Sequence, residues 1–220
     1  MNTSTPPPAI PLALRLPLAA VAFAAAAVSV VFAVLFAGDR TGTGLDRSAY
    51  DALKGSVDGD GFGYDVSWTI GTAGDPLWAG GLVVILAAIC FALERRRLAL
   101  LSLAGPALTG VVTTVAKPLV ERVINGDHLS YPSGHTALLT SLGIVVGLLL
   151  TDLFRLGRAR GLPLVLGLAL LCGAAMSWSQ TASRVHYLTD TIGGFCSAVT
   201  LVIATGLVID RLADRVKVKG

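Results

Sequence analysis

Charge is scarce in this chain. Of its 220 residues, 14% are Asp, Glu, Lys or Arg, while 54% are apolar and the mean hydropathy is +0.73. A soluble domain carries about 25% charged residues, so this deficit excludes an ordinary water-soluble fold. Cysteine is scarce too. Cys90, Cys172 and Cys196 lie in apolar runs, without CxxC spacing or a neighbouring histidine, so neither a disulfide framework nor a thiolate metal site is implied. The basic residues are split among short loops without interleaved aromatics, which excludes nucleic-acid binding, and no internal repeat marks a solenoid. The length leaves no room for a second sizeable domain beside one membrane bundle.

What is present is a series of apolar runs near the roughly 20 residues needed to cross a bilayer. They read as six spans: Leu16 to Gly38, Leu77 to Leu93, Leu98 to Ala116, Thr136 to Thr151, Gly161 to Trp178 and Tyr187 to Ile209. The expected fold class is therefore all-α, an integral membrane bundle of six transmembrane helices. Residues 1–15, with MNTSTPPPAIP, read as a disordered tail, 16–210 as the six-span domain and 211–220 as a basic cytoplasmic tail. The first apolar run exceeds the ~7 to 15 residues of a cleavable signal core and reads as a retained span.

Arginine and lysine set the orientation. Arg95, Arg96 and Arg97 follow the second run, Arg155, Arg158 and Arg160 the fourth, and Arg211, Arg215, Lys217 and Lys219 the sixth. By the positive-inside rule these loops and both termini are cytoplasmic, and residues 39–76, 117–135 and 179–186 face outside. Trp68, Trp78 and Trp178, with Tyr50, Tyr64, Tyr131 and Tyr187, sit in or beside those outer segments, as interfacial aromatics do. The acidic first outer loop, 39–76, reads as a solvated cap. Its DGDGFGYD run lacks a calcium loop's ligand pattern, because Phe62 takes a liganding position and no Glu closes it.

The histidines His128, His135 and His186 all fall at the outer face, among Lys117, Arg122, Asp127, Ser133, Arg184 and Asp190. Ionisable groups at membrane depth cost about 2.5 to 3.5 kcal/mol each, so their concentration at one rim points to a polar site. In PSGH, Pro132 suits a first helical turn, the N–H groups near Ser133 and Gly134 suit an anion, and Gly134 permits its close approach. Lys117 and the arginines supply positive charge. His186 and Asp190 are spaced i and i+4, so the carboxylate can orient the imidazole as a nucleophile, and His135 can serve as general acid.

Lys117 with Arg122, then YPSGH, then SRVHYLTDTIGG resemble the three signature motifs of the type 2 phosphatidic acid phosphatase superfamily, in its integral-membrane lipid phosphatase branch. The resemblance runs over roughly residues 75 to 210. It implies catalytic roles for His186, His135 and Asp190, phosphate binding by Lys117, Arg122, Ser133, Gly134 and Arg184, no metal and no cofactor. The implied reaction is hydrolysis of a lipid phosphate monoester or pyrophosphate at the outer leaflet of a bacterial inner membrane, through a phosphohistidine. The alternatives are a lipid phosphotransferase using the same intermediate, and a degenerate lipid-binding or transport protein. The implied partners are the phosphorylated lipid and the bilayer; the oligomeric state is open. Two departures stand out. The family's first motif would put arginine at Ile124 and proline at Asn125, and its third would put arginine at Gln180 after Ser179. The expectation is that Arg122 and Arg184 supply those charges from shifted positions, Arg184 one helical turn beyond Gln180.

Overall fold

The computed structural model describes residues 7–59 and 61–218. Eight α-helices follow in order: α1 Leu12–Leu35, α2 Gly44–Leu53, α3 Phe62–Ala73, α4 Pro76–Ala92, α5 Arg96–Val120, α6 Gly134–Leu153, α7 Arg158–Ala182 and α8 Leu188–Val218. The only strands among the described residues are two short ones, β1 Val123–Ile124 and β2 His128–Leu129, paired antiparallel around Asn125 and Gly126. The three-residue loop between them, Asn125 to Asp127, has positive φ at Asn125 and Gly126.

Among the described residues five helices, α1, α5, α6, α7 and α8, are long and apolar enough to cross a membrane. A sixth crossing exists if α3 and α4 count as one span bent by 68°. The 17 residues of α4 make a rod of only about 26 Å, short of the roughly 30 Å hydrocarbon core. The bend falls at Gly74-Asp75, where Pro76 opens α4.

Helix α6 is the axis of the bundle, packed against α5, α7 and α8, while α1 lies along α8. Small residues set these distances. A Cβ on Gly143 would stand 2.6 Å from the Leu168 carbonyl oxygen, and one on Gly147 2.7 Å from Val165 Cα, so glycines four residues apart let α6 and α7 meet backbone to backbone. A second close approach holds the start of α6. Gly194 of α8 faces Ser133, where an added Cβ would lie 2.2 Å from the carbonyl oxygen, and Gly193 receives the Tyr131 ring. The TIGG segment is therefore a seat for the loop that precedes α6.

Three expectations about the ends and loops need correction. Residues 1–6 of the expected tail 1–15 lie outside the described residues, but its second part is built into the fold. The N–H groups of Ala9 and Ile10 donate to Asp210 Oδ1 at 2.8 Å and Oδ2 at 3.0 Å, and Arg15 pairs with the same buried carboxylate at 3.0 Å. Nor does a separate tail begin at 211: α8 continues to Val218, and Asp214 joins Arg97 at 2.7 Å. A buried Asp210 needs partners, and the Ala9 and Ile10 N–H groups, Arg15 and, at 3.3 Å, Arg97 provide them. The segment 39–76 is more than the expected solvated cap. It contains α2 and α3, with Asp46 and Ser67 buried against the bundle.

Candidate active site

The loop before α6 ends on Ser133, which is the N-cap: its Oγ lies 3.4 Å from the Thr136 N–H it caps. Pro132 thus precedes the cap rather than opening the first turn. The Ser133 N–H is itself spent, donating to the Asp190 carbonyl at 3.0 Å. The Ser133 Oγ accepts from the Thr136 N–H and Oγ1, so the donors left for an anion at this helix end are its own O–H and the next two N–H groups. Those of Gly134 and His135 have no partner among the described residues, and both residues are partly exposed at the helix N-terminus.

Gly134 and His135 line a cavity of about 530 Å³ together with Lys117. Its far walls are apolar, from Val83 of α4, Leu103 of α5 and Leu138 of α6. Lys117 has no ion-pair partner among the described residues, and the Asp190 charge is its nearest electrostatic counterweight. His135 has a partner that its own motif does not reveal: Nε2 lies 3.2 Å from Asp75 Oδ1. Asp75 sits at the α3–α4 bend, and Gly74 beside it makes room for the ring, since a Cβ there would lie 2.6 Å from His135 Cδ2.

His186 is buried on the other side of the same helix end. It precedes α8 rather than lying within it, and Asp190 occupies the first turn. The Asp190 Oδ2 accepts the Tyr187 N–H at 3.0 Å, the side-chain-to-backbone half of a capping box. His186 Nδ1 lies 3.6 Å from that oxygen, beyond hydrogen-bond reach, and has no other partner. Burial holds the imidazole below its ordinary pKa; Asp190 opposes that shift, and the nearby Lys117 and His135 reinforce it. The ring is therefore neutral near pH 7.

Arg122, expected to supply charge to the phosphate, does not line the Lys117 cavity. Helix α5 ends on Glu121 in the left-handed conformation, and the turn carries Arg122 inward instead of toward the cavity. Its guanidinium is fully buried. It donates to Asp190 Oδ1 and Thr189 Oγ1, both at 2.6 Å, to Asp46 Oδ2 at 2.8 Å and to Asp39 Oδ2 at 3.2 Å. The rings of Phe36 and Tyr187 lie 4.2 Å and 4.5 Å from it. Four of its five N–H donors are spent in these bonds, and Nη2 also stands 3.1 Å from Asp39 Oδ2, so three carboxylates enclose the guanidinium. Asp46 in turn accepts the Thr189 N–H at 2.9 Å and the Thr43 N–H at 2.8 Å. Burial alone would raise its carboxyl, but these N–H groups and the two threonine hydroxyls outweigh it and hold the pKa below its ordinary value.

Arg184 is also displaced from its expected place. Helix α7 ends at Ala182, and Arg184 follows with φ +57. The Val185 N–H returns to the Gln180 carbonyl at 2.9 Å and the Arg184 N–H to Thr181 at 3.1 Å, which is a Schellman ending. Arg184 is thus not on the helical face of Gln180. Its side chain is exposed over Tyr50, in a second cavity of about 380 Å³ that His186 also lines. Gln180 is buried, and its Oε1 has no partner.

The geometry therefore gathers the motif residues around one helix end in two groups, Lys117, Gly134 and His135 on one cavity, His186 and Arg184 on the other. Asp190 joins them, through its carbonyl to Ser133 and its carboxylate to the His186 loop. Asp39, Asp46 and Asp75 are additions that the motifs did not indicate. For Asp46 a signal exists in Thr43-x-x-Asp46, a capping-box spacing that the structure realises.

Comparison with curated proteins gives no significant match. Among solved structures the fold is similar to a transmembrane PAP2 type phosphatidylglycerolphosphate phosphatase from Bacillus subtilis, at 20% identity and a TM-score of 0.66, over 87% of this chain and 96% of that one. That likeness concerns the fold. The family comparison extends to nearly the whole chain, from residue 18 to residue 213 and hence across every motif described above, and by it the protein belongs to the PAP2 superfamily, as an integral membrane phosphatase.

Proposed function

We propose that the protein hydrolyses a lipid phosphate monoester or pyrophosphate at the outer leaflet through a phosphohistidine on His186. The observation that carries this reading is the double role of Asp190, which ties the buried, neutral His186 to the same helix end that offers Gly134 and His135. An unprotonated imidazole next to a carboxylate is a competent nucleophile. In the first step His186 bonds to phosphorus and the phosphorus–oxygen bond to the lipid breaks. The leaving oxygen takes a proton from His135, whose imidazolium Asp75 stabilises. In the second step His135 takes a proton from water, whose oxygen attacks phosphorus and restores free His186.

The cations and donors facing the phosphoryl group are Lys117 and the N–H groups of Gly134 and His135. The apolar walls of the Lys117 cavity suit the lipid chain. Outer-leaflet orientation rests on the arginine clusters, which lie at the helix ends opposite the site. The test is phosphate release by purified protein, with chelator present, from phosphatidic acid, phosphatidylglycerol phosphate, a polyprenyl phosphate and a polyprenyl pyrophosphate. Turnover of at least one, with an acid-labile phosphoenzyme lost in His186→Ala, is expected. Loss of turnover in chelator, restored by a divalent ion, would sink the mechanism.

A further inference from the structure

The bend between α3 and α4 separates two cavities. On one side lies the cavity of Lys117 and His135, on the other an apolar groove of about 710 Å³. Helix α4 is the wall between them. Pro76, Gly80 and Val83, spaced by three or four residues, face the first, and Leu77, Gly81 and Ile85, spaced by four, face the second. The wall is thinnest at the bend, where Ala73 lines the groove and the next residue, Gly74, lines the Lys117 cavity. Asp75 follows, 3.2 Å from His135 Nε2. The two apolar spaces thus diverge from the place where the general acid stands.

The lining of the groove restricts what it can hold. No charged side chain lines it, and its size falls within the roughly 300–1,000 Å³ of ligand cavities. Trp68 of α3 and Trp78 of α4 form its sides, 67% and 61% exposed. Among the described residues only Trp178 gives its indole N–H to a protein oxygen, Ser56 Oγ at 2.9 Å. The N–H groups of Trp68 and Trp78 are left free, and tryptophan favours the boundary between hydrocarbon and headgroups, where lipid ester carbonyls lie. The α4 wall is open as well, since a Cβ on Gly81 would meet no atom of a neighbouring element within 4 Å. A hydrocarbon chain joined through an ester fits this lining, whereas a headgroup or a charged peptide does not.

We infer that the groove takes the second acyl chain of a two-chain glycerolipid phosphate while the first chain occupies the Lys117 cavity. The groove has this purpose only on the phosphatase reading, to which it adds a specificity site outside the motif residues. Lipid tails are as apolar as the groove, so the second chain gains little by leaving the bilayer. Its contribution is orientation. Two chains held on opposite faces of α4 fix the glycerol, and with it the bond to phosphorus, against His135.

The experiment uses the full chain in detergent and Gly81→Phe, whose ring would fill the groove from its open wall. The kcat/KM for two-chain phosphatidic acid should fall about tenfold, and that for one-chain lysophosphatidic acid should stay within about twofold, which also shows that the variant is folded. Equal losses on both, or no loss on either, would overturn the inference. So would a wild type that turns over a polyprenyl phosphate but no two-chain phosphate. A second measurement needs no turnover. Phosphatidic acid brominated on one chain should quench the fluorescence of Trp68 and Trp78, and less so in Gly81→Phe. Unbrominated phosphatidic acid should relieve the quenching, and lysophosphatidic acid or phosphatidylcholine far less. Relief by any two-chain lipid alike would make the groove an ordinary membrane contact and overturn its assignment. An inactive wild type with selective quenching would count against the phosphatase reading and for the groove.

Discussion

Replacing Arg122 by Met tests whether that residue holds the fold or holds phosphate. The side chains are similar in length, so the change mainly removes the guanidinium. Left behind are Asp46 and Asp190, both buried, with Asp39 at the edge. Breaking a buried pair from one side costs about 3–5 kcal/mol, because the stranded carboxylate keeps its desolvation penalty. Here two buried carboxylates are stranded together, and their mutual repulsion pushes the cost toward the upper end. Against a typical stability of about 5–15 kcal/mol, such a loss is a large fraction of the whole. Unfolding in detergent, followed by temperature or denaturant, should show it.

Arg122→Lys should fall between, since one ammonium cannot serve the carboxylates at the two ends of a guanidinium fork. Adding Asp46→Asn to Arg122→Met should recover at least about 1 kcal/mol, the mark of a coupled pair. Acid provides an independent check through Asp46. Its folded pKa lies below its unfolded one, so its stabilisation is present above about pH 4 and fades as pH falls through the depressed value. Asp46→Asn should lose that part of the acid sensitivity. If Arg122→Met unfolds within about 1 kcal/mol of wild type yet binds orthophosphate poorly, the structural role is wrong and the phosphate role right.

The remaining predictions concern the candidate catalytic groups. Asp75→Asn should lower kcat on a lipid phosphate by about 10 to 10² fold, and much less on p-nitrophenyl phosphate, whose leaving group needs no proton; equal losses on both would remove Asp75 from the acid's support. The acid limb of kcat/KM should fall below about pH 6.5, because burial keeps His186 neutral to lower pH than a free histidine, and activity should fade as pH drops through its depressed pKa. A limb above that value would contradict a buried nucleophile. Gly194→Ala should destabilise the protein by about 1–3 kcal/mol and impair turnover, since its methyl would overlap the Ser133 carbonyl; wild-type behaviour would mean the seat is loose.

Five of the six spans were legible because a bilayer leaves the sequence little freedom: α1 and α5 to α8 lie on the apolar runs, while the run on α4 reaches a crossing only if α3 is joined to it across the 68° bend. What shifted was the ends. Arg122 shows why the site was only half legible. Spacing from Lys117 predicted how far along the chain a cation should stand, and a long side chain was expected to make up the difference in register. The chain does not continue as a helix there. One left-handed residue, Glu121, reverses it and turns Arg122 into the interior. The same device displaces Arg184, where the left-handed position past the end of α7 takes the side chain off the face shared with Gln180.

The partners of Arg122 were hidden for a different reason. Asp39 and Asp46 are two among many aspartates in an acidic loop, and nothing in their spacing to Arg122, 83 and 76 residues away, marks them as its counter-ions. Once they are seen to neutralise it, the electrostatics of the site change. A cation that is saturated by carboxylates offers a phosphate little attraction, whereas one without a partner offers its full charge. Lys117, on the apolar cavity, and Arg184, on the cavity that His186 lines, have no ion-pair partner among the described residues. Gln180, neutral and buried between the His186 loop and α3, stands where the family's third motif has an arginine.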